Sequence, residues 1–162
     1  MEIQENTDEP EYPSTDLAYA FIQPSYDVMS IRFDSANNRI QNILTWVIGI
    51  TAAIPLFTQI VKNTLDVKSP WFFLALESFV VTIILGVIAQ RTGGVELIDP
   101  KVLYEQNLSM TPSEFKRTMI FWSGEHFHAN AKTIQTKSRF IDIMTVLLAL
   151  EVVFAFLWII KT

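Results

Sequence analysis

Three stretches of the chain are apolar with little polar interruption, and each is long enough to cross a bilayer, which takes roughly 20 helical residues. They are residues 43–61 (ILTWVIGITAAIPLFTQIV), 71–90 (WFFLALESFVVTIILGVIAQ) and 140–160. Their hydrophobicity is all-round rather than one-sided, as for a helix surrounded by apolar material. Residues 63–70 offer room for little more than a turn, so the first two segments predict a transmembrane hairpin. A polar insert, residues 91–139, separates the third.

The polar stretches carry their own signals. Residues 1–14, with two prolines and several acids, predict disorder. From residue 25, SYDVMSIRFDSANNRIQ predicts an amphipathic helix with Met29, Phe33, Ala36 and Ile40 on one stripe. With no Gly or Pro before Gly49, that helix should run into the first span, making residues 25–90 one helix-plus-hairpin segment. RTGGVELIDP predicts a helix end at Gly93 and Gly94. In TPSEF, Thr111 suits a helix cap, Pro112 the first helical position, and Glu114 the return contact of a capping box. From there to Lys161 no proline follows and Gly124 is the one glycine, which predicts a helix about 75 Å long, with a break near WSGE as the alternative. Its first part, to residue 139, would be a stalk outside the membrane, leading into the third span.

Composition supports this reading. Half of the 162 residues are hydrophobic and only 18% are charged, more apolar than a soluble domain of this size usually is. Charge sets an orientation. Arg32, Arg39, Arg91, Lys101, Lys116, Arg117, Lys132, Lys137 and Arg139 fall on the side shared by the N-terminus and the insert, against Lys62, Lys68 and Lys161 on the other. The positive-inside bias places the N-terminus and residues 91–139 in the cytoplasm and the C-terminus outside. No cysteine is present, which excludes disulfides, zinc–thiolate sites and a cysteine nucleophile.

Two carboxylates interrupt the apolar runs, Glu77 in the second segment and Glu151 in the third. Burying such a charge costs a few kcal/mol on insertion scales, so it usually has a partner or a wet cavity. Counted from the outer helix ends at 1.5 Å per residue, they lie about 9–10 Å and 13–14 Å deep, near one layer. Thr51 and Thr58, with Pro55 between them, add a polar face to the first span, and Pro55 also frees the carbonyl of Thr51. Glu77, Glu151, Thr51 and Thr58 are therefore the pore-lining candidates. In an oligomer they would form carboxylate rings of the kind that select cations; hydrogen-bonded acids between helices are the alternative.

Chemistry outside the spans is sparse. In GEHFH, His126 and His128 are two residues apart and would point about 200° apart on a helix, so they would not share a metal. No HExxH, GxSxG, P-loop or GxGxxG motif occurs. No enzymatic activity, metal or cofactor is expected. Aromatic residues interleaved with Lys and Arg make Lys116, Arg117, Trp122, His126 and Lys132 candidates for stacking a base and holding phosphate, or for packing on another helix or subunit.

The stretches IRFDSANNRIQNILTWVIGI and HANAKTIQTKSRFIDIMTVLLALEVVFAF, in a layout of amphipathic helix, hairpin, insert and basic helix entering a last span, resemble small bacterial membrane effectors of the SLATT and Pycsar transmembrane kind. The resemblance covers about residues 20–160, is one of pattern, and includes a third span beyond the two of the minimal SLATT layout. It implies an effector of anti-phage defence in the bacterial inner membrane. A nucleotide or oligonucleotide signal, made by a partner nucleotidyltransferase or cyclase, would cause it to compromise that membrane. The expectation is an all-α, homo-oligomeric membrane protein, three transmembrane helices per subunit with a helical cytoplasmic stalk, acting as a pore or membrane-disrupting assembly. A non-conducting anchor that recruits a soluble partner, and a phage holin, are the alternatives.

Overall fold

A computed structural model describes residues 15–62, 68–99, 101 and 109–161, with no side-chain description for Gln23 and residues 57–62. Among the described residues three long helices appear and no strand: α1 (Thr15–Lys62), α2 (Pro70–Arg91) and α3 (Pro112–Lys161). Each is long and apolar enough to cross a membrane. The expected disorder of residues 1–14 lies outside the described residues, as does most of the turn after α1.

Helix α1 begins at Thr15, ten residues before the amphipathic stretch that the sequence marks, and passes through Pro24 and Pro55. A proline inside a helix lacks the N–H that would bond four residues back. Beside Pro24 the Ser25 hydroxyl donates to the Phe21 carbonyl at 2.7 Å, adding a side-chain bond to the weakened turn. On either side of Pro24 the helix is tied to α3, through Asp16 with Lys116 and Tyr26 with His126, and such tertiary contacts are the usual source of helix stability in proteins. The expected stripe is inward-facing: Met29, Ala36 and Ile40 are buried and Phe33 half-buried.

Helix α2 starts with Pro70 in its first turn, where no N–H is needed. It ends at Thr92 and Gly93, whose φ of 63° is a left-handed conformation suited to glycine. A Cβ at Gly93 would also lie 2.6 Å from Thr133 Cγ2. The buried residues of α2 are Ala75, Ser78, Thr82, Gly86 and Ala89, all small, while Phe73, Leu76, Val80, Ile84 and Val87 face outward. A soluble helix would bury the large apolar side chains. Small residues inside and large ones outside is how helices pack in lipid, where close backbone approach replaces the hydrophobic drive.

Helix α3 opens with the expected capping box. Thr111 N–H donates to Glu114 Oε2 at 3.0 Å, and Glu114 N–H returns to Thr111 Oγ1 at 3.4 Å. It is continuous for 50 residues, so Gly124 makes no break. Ser123, Asn130, Lys137, Met144, Glu151 and Trp158 are all buried and fall seven residues apart. A strict seven-residue spacing keeps one row of a helix facing its neighbours, the seam of left-handed supercoiled packing.

The chain divides into two compact units, the described parts of Met1–Ile31 with Val95–Ala131, and of Arg32–Gly94 with Lys132–Thr162. In the first, α1 and α3 run parallel: Asp16 pairs with Lys116 at 2.6 Å, and the Tyr26 hydroxyl lies 3.2 Å from His126 Nδ1. The extended segment after α2 is held by Asn130, which accepts from Glu96 N–H at 2.7 Å and donates to the Glu96 carbonyl at 2.9 Å. In the second unit α2 runs antiparallel to α1 and α3, around a core of Ala36, Ile40, Ala89, Ile141 and Met144.

Candidate functional site: a buried carboxylate among the membrane helices

Within the second unit, α1 and α3 meet through polar pairs offset by one hundred residues, Asn37 with Lys137 and Thr51 with Glu151. The same offset relates Asp16 to Lys116 and Tyr26 to His126 in the first unit. A constant offset means that the two helices keep register along each contact.

Glu151 is 1% exposed. Its Oε1 accepts from the Thr51 hydroxyl at 2.6 Å, while Oε2 is buried without a hydrogen-bond partner. The seven-residue row of α3 turns this side chain inward, and Thr51 reaches it from the turn of α1 preceding Pro55. A cavity of about 330 Å³ adjoins the carboxylate, walled by Thr51, Phe72, Ala75, Leu76 and Trp158 among others. The Phe72 and Trp158 rings lie 4.9 Å apart, tilted by 52°. The result is one carboxylate and one hydroxyl facing an apolar, partly aromatic chamber.

Two steps of the seven-residue row before Glu151, at the C-terminal end of α2, Lys137 is 0% exposed. Its ammonium donates to the Ala89 carbonyl at 2.8 Å and to Asn37 Oδ1 at 3.0 Å, and sits 4.8 Å from the Phe33 ring centroid. Ala89 lies in the last turn of α2, where carbonyls lack helical partners and a cation is favoured.

The other candidates are dispersed. Glu77 is exposed on the outer face of α2, beside Phe73, Leu76, Val80 and Val81 rather than in the Glu151 chamber. The side chain of Thr58 lies outside the described residues. Lys116 and Trp122 are half-buried and Arg117 is exposed. His126 is half-buried against Tyr26, and burial raises the Tyr26 phenol above its ordinary range, opposed by a hydrogen bond with Ser123. His128 is exposed, and no group of three metal-binding side chains occurs among the described residues. Lys132 is exposed and belongs to the second unit.

Sequence reading passed over Asn37, Phe72, Asn130 and Trp158 as members of polar or aromatic sites. Counting in sevens from Glu151 would have found two of them, because Asn130 and Trp158 occupy the same row. Fold and site together define an all-helical chain with three helices fit to cross a membrane and a carboxylate enclosed among them. No family model, curated protein or solved structure matches the chain.

Proposed function

We propose that this chain is the subunit of a homo-oligomeric effector of the bacterial inner membrane, in which a cytoplasmic signal changes ion passage across the bilayer. The observation that carries the reading is Glu151, a carboxylate enclosed among spanning helices with one oxygen held by Thr51 and the other unpaired. Enclosing such a group is expensive in hydrocarbon, and intramembrane acids most often mark an ion pathway or relay. Glu77 supports the oligomer, because an outward carboxylate on a spanning helix calls for a neighbour, and another subunit would supply one. The anti-phage role and the nucleotide or oligonucleotide signal rest on the resemblance in layout. In this assignment the N-terminus and residues 91–139 are cytoplasmic.

The test is cation flux through purified protein in liposomes, before and after exposure to cyclic mononucleotides and short oligoadenylates. Glu151→Gln and Glu77→Gln should each reduce flux or its cation preference. Unchanged flux and selectivity in both would remove the carboxylates from the pathway, and the absence of flux under every condition would end the conduction reading. A second reading, an anchor for a soluble partner, draws on the exposed Leu17, Phe21, Phe121 and Phe127 of the first unit. Stable partner co-purification without membrane depolarisation in cells would favour it.

A further inference from the structure

The chamber beside Glu151 has a chemistry of its own. A bare inorganic cation needs a shell of several oxygens, whereas the side-chain oxygens on these walls belong to a single carboxylate and the Thr51 hydroxyl, beside the Trp158 indole and otherwise apolar side chains. Two aromatic rings, Phe72 and Trp158, stand in contact distance of each other on the same chamber. Rings attract a cation through their negative faces, most strongly where water is excluded, and quaternary ammonium groups are the ligands that such walls recognise. At about 330 Å³ the space is at the lower end of the range for small-molecule sites. Glu151 Oε2, without a hydrogen-bond partner on a side chain 1% exposed, is the acceptor left over for such a group.

We propose that this chamber binds a small lipophilic ammonium ion, its positive centre facing Glu151 Oε2 and the Phe72 and Trp158 rings, and its alkyl or aryl groups against Ile54, Pro55 and Leu76. Such an ion reaches the site without shedding a tight hydration shell, since its charge is spread under hydrocarbon. The site does not require conduction: it belongs to the subunit as folded, so it stands or falls separately from the effector reading.

The experiment titrates the full chain, purified in a non-ionic detergent, with benzyltrimethylammonium, and follows intrinsic tryptophan fluorescence. Neopentylbenzene, the neutral carbon isostere, is the comparison ligand. The expected result is saturable quenching by the cation, at least tenfold weaker binding of the neutral isostere, and at least tenfold loss of cation affinity in Glu151→Gln. Trp158→Phe should abolish most of the signal, which assigns it to this chamber rather than to the other three tryptophans. Leu76→Phe narrows the chamber from its exposed wall without touching the acid, and should weaken binding at an unchanged helical spectrum and elution volume. It keeps the proposal testable should Glu151→Gln fail to fold. The proposal is overturned by no saturable quenching in the unmodified chain, by equal binding of cation and isostere, or by unchanged affinity in a folded Glu151→Gln or Leu76→Phe.

Discussion

Replacing Lys137 by methionine probes how the membrane unit is held together. Methionine keeps much of the aliphatic stem and removes the ammonium, with its bonds to the Ala89 carbonyl and Asn37 Oδ1. Hydrogen bonds from a charged donor contribute about 1.5–3 kcal/mol each, so the pair is worth about 3–6 kcal/mol before any opposing term. The opposing term is desolvation of the ammonium, an effective several kcal/mol for a buried ion, which methionine does not incur. Asn37 is only half-buried and regains water, so the lasting loss falls on the Ala89 carbonyl and on the interaction with the end of α2. These terms leave a net destabilisation of about 1–3 kcal/mol. The assay is reversible unfolding in mixed micelles titrated with a denaturing detergent, followed by circular dichroism. Asn37→Leu added to Lys137→Met should cost less than it does in the unmodified chain, because the bond that couples them is already gone. A Lys137→Met protein as stable as the original, or more so, would show that desolvation outweighs the bonds and refute the capping role.

Other expectations follow from single contacts. A Cβ at Gly86 would come within 2.5 Å of Leu44 Cδ2, the movable end of a side chain, so Gly86→Ala should shift stability by no more than about 1 kcal/mol. Gly86→Leu should overpack the interface by about 3 kcal/mol or misassemble, read by the same detergent titration. Two hydrogen bonds from Thr111, the hydroxyl's first and the backbone's second, hold the Glu114 carboxyl below its usual range. Its folded pKa being depressed, that stabilisation is complete above the ordinary glutamate value and is lost as pH falls through the folded one. Carboxyl NMR shifts across an acid titration check this, and Thr111→Val, which removes the hydroxyl bond and keeps the backbone one, should return the pKa only part of the way to the ordinary value. Asn130→Ala should free the segment around Glu96, raising its amide exchange by an order of magnitude or more while α3 stays helical.

Much of the fold is legible along the chain because its signals are local. Apolar length marks the spans, Thr111–Pro112–Glu114 marks the start of α3, and Gly93 marks the end of α2. The N-terminal extent of α1 was not legible: Pro24 is a local breaker, and only contact with α3 outweighs it. The site divides in the same way. Glu151 announces itself by being charged where its neighbours are not, and Glu77 does so equally, yet one faces inward and the other outward. Composition at each position is the same in the two cases, and the direction of a side chain depends on which row of its helix meets a neighbour.

What the sequence determined alone is therefore the set of helices and their fitness for a bilayer, since both follow from length, hydropathy and end residues. The partnerships were decided only in three dimensions: Thr51 with Glu151, Lys137 with the end of α2, and the Phe72–Trp158 wall. Each joins residues far apart in the chain whose meeting is fixed by helix register, and a shift of one residue turns a side chain by about 100°. The seven-residue row on α3 selects which polar groups are enclosed, and the small residues of α2 let the helices approach closely enough to enclose them.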